Sequence, residues 1–486
     1  MGRRMRPGVD RAVGRTWILT LVMVIALMAN ITYVQGFEAQ NLRDDSLNAR
    51  QFEDRFKIDR GPIVADGERL AWSEKLDDDR YRRRYKDGPV FAPITGYFSV
   101  FSQTGLEDAE NHFLDGTDDR LATSNFIDKL IGKHVPGGTV ESTVSVKAQR
   151  VAYDALQGAG ARRAAAVVLD AGTGAVLVMA STPSYDPAEV STLDREKATA
   201  AFERLGDQPL KPLLDKAANE LFPPGSTFKT VVAASALEAG ASGSTRVRAG
   251  RSYRPPRAGQ AINNDAGDIG GSCDLGRIPL IEAYAQSCNT TFAFMGAEEP
   301  GNDAVHAEAG RFGFGERIEY ADGLRGAPSS FPKTGEPSLS ALGSIGQGST
   351  VASPLQMAMV AAGILNDGVV MEPRLVDRLR APNGSTVDEI SPARMSTALT
   401  GDQAKQLQDM MKAVVDRGTG KSLRGTSVLG GKTGTADVEG ASYNDRWFIG
   451  FGPRDDPEYA VAVLTEAPGY GIESGPIAAR IIDALD

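Results

Sequence analysis

Trp17 to Val34 reads WILTLVMVIALMANITYV, 18 residues without a charge, and five arginines (Arg3, Arg4, Arg6, Arg11 and Arg15) stand before it. An uncharged run of that length is near the lower end of what crosses a bilayer as a helix, about 17–25 residues. Flanking arginines stay on the cytoplasmic side. The run therefore divides the expected chain into a cytoplasmic tail (1–15), a membrane anchor (16–35) and an extracytoplasmic body. A cleaved export signal is the alternative, with an apolar core of about 7–15 residues and a small-x-small cleavage site. No Ala-x-Ala follows the apolar core, so an uncleaved, single-pass anchor in the cell membrane is the expectation.

The body is acidic. The chain carries a formal charge of -10, and the first fifteen residues contribute +4, which leaves -14 on the rest. Nucleic acid is thereby excluded as the main partner, because phosphate backbones need a basic face. At 486 residues the chain exceeds one ordinary core, and two or three domains are expected. Cys273 and Cys288 are its only cysteines, and His112, His134 and His306 its only histidines. None forms the close ligand pairs of a zinc site, so no metal is expected. Outside the cytoplasm the two cysteines can persist as a disulfide, worth about 3 kcal/mol for a loop of roughly 15 residues. Two buried thiols are the alternative, and bonding is the expectation.

Residues 36–60 are polar and read as a stalk. Residues 61–140 are irregular in pattern and include the cluster Asp77, Asp78, Asp79, Arg80, Arg82, Arg83 and Arg84, whose expected role is a solvated, salt-bridged surface. Pro136-Gly137-Gly138 suggests a hinge. From about residue 145 the pattern sharpens. Ala164–Asp170 and Ala175–Ser181 read as two strands joined by a Gly-containing turn, residues 227–239 as a helix stopped by Gly240, and Val428–Ala436, Arg446–Phe451 and Tyr459–Thr465 as three more strands. Ala478–Leu485 closes the chain as a helix. Strands at both ends with helices between imply an α+β domain built on an antiparallel sheet.

Three short motifs carry chemistry. In Pro223-Pro224-Gly225-Ser226-Thr227-Phe228-Lys229, Lys229 lies one helical turn beyond Ser226 on the same face. A serine hydroxyl becomes a nucleophile when a base takes its proton, and lysine is such a base once its charge is disfavoured. Free N–H groups at the helix start suit a developing oxyanion. Taken alone, Ser226 is as easily an N-cap and Lys229 a surface lysine. In Ser287-Cys288-Asn289 the alternate residues can face one cleft. In Gly431-Lys432-Thr433-Gly434-Thr435 a cation and hydroxyls lie along a strand edge, suited to an extended peptide that ends in a carboxylate. A phosphate-binding P-loop would require glycine at 426, where Thr426 stands.

Serine-x-x-lysine, then serine-x-asparagine, then lysine-threonine-glycine is the ordered signature of penicillin-binding proteins and class A β-lactamases. On these motifs the chain resembles a class B penicillin-binding protein, and its short N-terminal region is similar to the penicillin-binding protein A type of actinobacteria. Arg60-Gly61-Pro62-Ile63 and Gly105-Leu106-Glu107 with Asn111 and Leu114 resemble the family's pedestal motifs. Ala180–Pro187, Gly346-Gln347-Gly348, Ser353–Met357 and Asp445–Phe451 resemble its transpeptidase domain.

The resemblance implies a pedestal or dimerisation-like domain over 36–144 and a penicillin-binding transpeptidase domain over 145–486, without a glycosyltransferase. It implies a D,D-transpeptidase that cross-links peptidoglycan stem peptides ending in D-Ala-D-Ala, in wall synthesis at division. Penicillin and other β-lactams would acylate it. Ser226 would attack, Lys229 act as base with its charge disfavoured by Lys432, and Ser287 pass the proton to the leaving D-alanine. Asn289 would orient the substrate amide, and Lys432, Thr433, Gly434 and Thr435 would hold the carboxylate. Backbone N–H groups of Ser226 and Thr435 would form the oxyanion hole. No metal or organic cofactor is implied, and a lipid-flipping or glycosyltransferase protein is the partner to expect. A Ser-His-Asp hydrolase is disfavoured, with no G-x-S-x-G elbow and no histidine beside a candidate serine. Carboxypeptidase, β-lactamase, β-lactam sensor and inactive scaffold are the rival outcomes of the same motifs.

Overall fold

The computed structural model describes residues 7–33, 55–121, 136–265 and 271–485. Most of the expected stalk and part of the cytoplasmic tail lie outside the described residues. The chain forms two compact units, Met1–Lys57 and Ile58–Asp486. In the first, α1 (Pro7–Tyr33) is a single helix, and its apolar side chains from Trp17 to Met28 are exposed. Among the described residues no helix is long and apolar enough to cross a membrane.

The second unit opens with three strands, β1 (Ile63–Ala65), β2 (Glu68–Lys75) and β3 (Tyr81–Tyr85), and returns to them with β4 (Thr139–Ser142). Helix α2 (Val146–Gly158) leads into β5 (Ala164–Asp170) and β6 (Val176–Thr182). The helices that follow include α3 (Arg195–Gly206), α4 (Lys229–Glu238), α5 (Leu280–Ala285), α6 (Asn289–Ala297) and α7 (Pro354–Leu365). The chain then runs through β7 (Val376–Arg380), β8 (Thr386–Glu389) and α8 (Gly401–Arg417). It ends in β9 (Gly430–Asp437), β10 (Asn444–Gly452), β11 (Tyr459–Ala467) and α9 (Gly475–Asp483).

The larger domain rests on a five-stranded sheet of order β9-β10-β11-β5-β6, antiparallel at every pairing. Both faces are covered. Val167, Met179, Trp447, Ile449, Ala462 and Leu464 pack with helix α7, which is buried from Pro354 to Ile364. Their alternates Ala166, Val168, Phe448, Val461 and Val463 pack with Ala152 and Leu156 of α2 and Ile477 and Ile481 of α9. Strands sealed on both faces read as unbroken apolar runs, which is why β5 stands out in the sequence with the bounds expected for it.

The pedestal holds a second, mixed sheet of order β8-β7-β4-β1-β2-β3, with β1 and β4 parallel. Strands β7 and β8 come from the middle of the expected transpeptidase segment, so this sheet crosses the boundary placed at residue 144. Two further expectations are corrected. Arg83 is not part of a solvated surface: it is buried, with its Nε on Glu107 Oε1 at 2.5 Å. Glu107 also receives Arg60 Nε at 3.0 Å, and Arg60 Nη1 reaches Asn111 Oδ1 at 2.7 Å. Pro136–Gly138 is packed in place, since Gly137 N donates to Asp59 O and Gly138 N to Phe113 O, each at 2.9 Å. A Cβ on Gly61 would fall 1.8 Å from Gly138 O, so these two backbones touch directly.

Candidate active site

Ser226 occupies one 3-10 turn, Gly225–Phe228, immediately before α4. Neither the turn nor the helix receives a side-chain cap, which removes the reading of Ser226 as an N-cap. The turn is held from several sides. Gly225, at φ 53°, takes a conformation that side chains disfavour, and a Cβ there would meet Thr435 O at 2.7 Å. Its N–H donates to Gly346 O at 3.0 Å. Trp447 Nε1 donates to Pro223 O at 2.9 Å, and Phe228 stacks on Phe331 with ring centroids 5.0 Å apart. The half-buried Ser226 is thus fixed against the edge strand β9.

Lys229, the first residue of α4, is fully buried, so it is not a surface lysine. Its Nζ donates to Ser287 O at 2.6 Å, Ser287 Oγ at 3.2 Å and Asn289 Oδ1 at 2.6 Å. Lys432, on β9 and equally buried, donates from Nζ to the same Ser287 Oγ at 2.8 Å and to Thr433 O at 2.9 Å. One hydroxyl therefore joins two lysines that lie 203 positions apart in sequence. Ser287 sits between α5 and α6 at φ 61°, a backbone cost of the kind stored at functional sites. Asn289 Nδ2 donates to Asp265 Oδ1 at 3.1 Å, which fixes the amide with its oxygen toward Lys229.

Cys288 is bonded to Cys273, with Cα atoms 5.5 Å apart, so the disulfide tethers the residue between Ser287 and Asn289. Tyr284 donates to or accepts from Thr230 at 2.9 Å. Burial pushes its phenol well above the usual range, so it stays a neutral wall of the site.

Lys229, Ser287, Asn289 and Lys432 form one hydrogen-bonded cluster, and Ser226 is brought to it by the backbone. Thr433 and Thr435 lie on the same strand with other partners. Thr433 Oγ1 meets Thr419 Oγ1 at 2.6 Å, and Thr435 Oγ1 accepts from Gly471 N at 3.0 Å. A Cβ on Gly434 would fall 2.8 Å from Thr227 Cγ2, so the strand and the serine turn are in contact there. Thr419 carries no sequence signal, as a threonine between two glycines has no periodicity to mark it. Among the described residues no group of three or more His, Cys, Asp or Glu is placed to hold a metal ion. Among the described residues β9 pairs only with β10 and ends the sheet. A strand at a sheet edge can take an extended peptide.

Residues 164–485 match the penicillin-binding protein transpeptidase domain, and residues 60–140 the dimerisation domain of penicillin-binding protein A. The chain is 36% identical over 477 residues, 96% of each chain, to a protein named peptidoglycan D,D-transpeptidase PbpA from Mycolicibacterium smegmatis. It is 33% identical to the protein of the same name from Mycobacterium tuberculosis, over 97% of this chain and 98% of that one. Its fold superposes on the imipenem acyl-enzyme complex of M. tuberculosis penicillin-binding protein A with a TM-score of 0.82, at 33% identity, covering 89% of this chain and 99% of that chain. The penicillin G acyl-enzyme complex of the same protein gives 0.81. With two buried lysines meeting on one serine beside a serine-bearing turn, and matches over nearly its whole length, this chain belongs to the penicillin-binding protein transpeptidase family.

Proposed function

We propose that the chain is a peptidoglycan D,D-transpeptidase that works through an acyl-serine on Ser226 and is inactivated by β-lactams. The observation that carries the roles is the double contact of Lys229 and Lys432 on Ser287. Two buried cations on one oxygen repel each other and lose hydration, which favours a state with one amine neutral. A neutral Lys229 is the base that Ser226 needs.

Ser226 Oγ attacks the carbonyl carbon between the last two D-alanines and gives its proton to Lys229. The negative oxygen of the tetrahedral adduct is held by the backbone N–H groups of Ser226 and Thr435. The C–N bond breaks, and the proton reaches the leaving D-alanine nitrogen through Ser287. An amine from a second strand then attacks the acyl carbon, its proton returns by the same route, and Ser226 is released. Asn289 orients the donor amide, while Lys432, Thr433, Gly434 and Thr435 receive the terminal carboxylate at the strand edge. The test is a donor peptide ending in D-Ala-D-Ala with an amine acceptor. Released D-alanine matched by cross-linked product is expected. Release with hydrolysed donor alone would overturn transpeptidation in favour of a carboxypeptidase.

The same proposal places the catalytic unit outside the cell membrane on a single-pass anchor at 16–35. The uncharged stretch taken whole and the exposed apolar face of α1 support it. Removing residues 1–35 is expected to move the protein from membrane to soluble fractions, and unchanged fractionation would contradict the anchor. A lipid-flipping or glycosyltransferase partner that supplies the strands completes the reading. Its test is co-purification from membranes.

A further inference from the structure

Asn289 can hold a donor amide by its carbonyl only through Nδ2, because a carbonyl oxygen accepts and does not donate. That nitrogen carries two hydrogens, and two acceptors already stand against it, Asn263 O at 3.3 Å and Asp265 Oδ1 at 3.1 Å. Its Oδ1 meanwhile faces Lys229 Nζ at 2.6 Å. Every polar position on the Asn289 amide that a ligand could use is therefore in use, and an incoming carbonyl must displace one of the two acceptors.

The two acceptors are held differently. Asn263 ends a short hairpin, Ser252–Tyr253 paired with Ile262–Asn263. That hairpin is docked on α6. Tyr253 is buried, with its ring edge-on to Phe294 at 5.7 Å between centroids and its hydroxyl donating to Glu298 Oε1 at 2.6 Å. Asn264 donates from Nδ2 to Gly250 O at 3.0 Å and accepts Thr290 N on Oδ1 at 3.1 Å. Asn263 O is a backbone atom of this frame. Asp265 is exposed, and its acceptor is a side-chain carboxylate, so it is the one a ligand can displace without moving the hairpin.

We propose that Asp265 is a positioning residue that sets ligand specificity through Asn289, by competing with the ligand's amide carbonyl for Nδ2. A ligand that brings such a carbonyl exchanges one hydrogen bond for another and gains only the difference. A ligand without one leaves Asp265 bonded and is bound as before. The inference rests on the reading of Asn289 as the group that orients the donor amide.

The test measures the second-order rate of acylation of the full-length protein by penicillin G and by 6-aminopenicillanic acid. The second compound keeps the fused ring and the carboxylate and has a bare amine in place of the side-chain amide. Asp265→Ala is expected to be acylated about three- to tenfold faster than wild type by penicillin G and at the wild-type rate by 6-aminopenicillanic acid. That difference between ligands is what a purely structural role would not produce. If the alanine variant melts lower than wild type, Asp265→Gly takes its place with the same expectation. An unchanged or slower rate with penicillin G would overturn the competition. So would an equal rise with both compounds, since both are carboxylate anions and would respond alike to the lost charge. A wild type that neither compound acylates would overturn the transpeptidase reading itself, and the inference with it.

Discussion

Ser287 shows how far a single residue could be read in advance. Its motif, Ser287-Cys288-Asn289, says almost nothing alone, and its order between the other two motifs marked it. What the sequence could not carry was its left-handed backbone or the two amines on its Oγ, because both depend on packing between α4, α5 and β9. The account makes Lys229 the base. Lys229→Ala is expected to lower the rate of acylation by penicillin about 10²–10⁴-fold, with an unchanged melting curve as control. Asp445 offers a second test at this scale. Burial, with Glu466 and Glu220 nearby and Arg163 opposing, raises its carboxyl from 3.8 to about 7. A raised acid binds protons more tightly folded than unfolded, so its contribution to stability falls as pH rises from about 4 to about 7. Asp445→Asn should flatten that fall in thermal melts across the same window. An equal slope in both proteins would count against it.

At the scale of elements, the strands of the large sheet were legible and the pedestal strands were not. β5, β10 and β11 are apolar runs sealed on both faces, so their residue types betray them. β2 and β3, ERLAWSEK and YRRRY, are charged strands whose one deeply buried arginine pairs with Glu107, and no hydrophobic period reveals that. The helix expected over 227–239 divides into a 3-10 turn and α4, because Gly225 and Gly434 let the serine turn lie directly on β9. A methyl group tests that approach. Gly434→Ala would set a Cβ 2.8–3.0 Å from Thr227 and Pro224 and shift the turn. Displacement of reacting groups by even an ångström costs about 10²-fold, so acylation should slow by about that factor while the protein stays folded.

Across the whole molecule, the two domains of the Ile58–Asp486 unit are joined by more than a linker. β7 and β8 complete the pedestal sheet from within the transpeptidase segment, an interleaving that pattern reading along the chain places in one domain or the other but never in both. The pedestal turns on Glu107, buried between Arg60 and Arg83. Removing one partner of a buried ion pair strands the rest and costs about 3–5 kcal/mol. Glu107→Ala should therefore lower stability by that order in denaturant unfolding, while the folded fraction still acylates, since the residue is remote in sequence and bonding from Ser226.

The central claim is that Ser226 is the acyl-accepting nucleophile of a slow-deacylating enzyme. The most direct measurement is incubation of the full-length protein with a fluorescent penicillin, followed by peptide mapping, beside Ser226→Ala. The account predicts stable, stoichiometric label on the peptide that contains Ser226 and none in the variant. Label elsewhere, rapid loss of label, or no label on folded wild-type protein would contradict it.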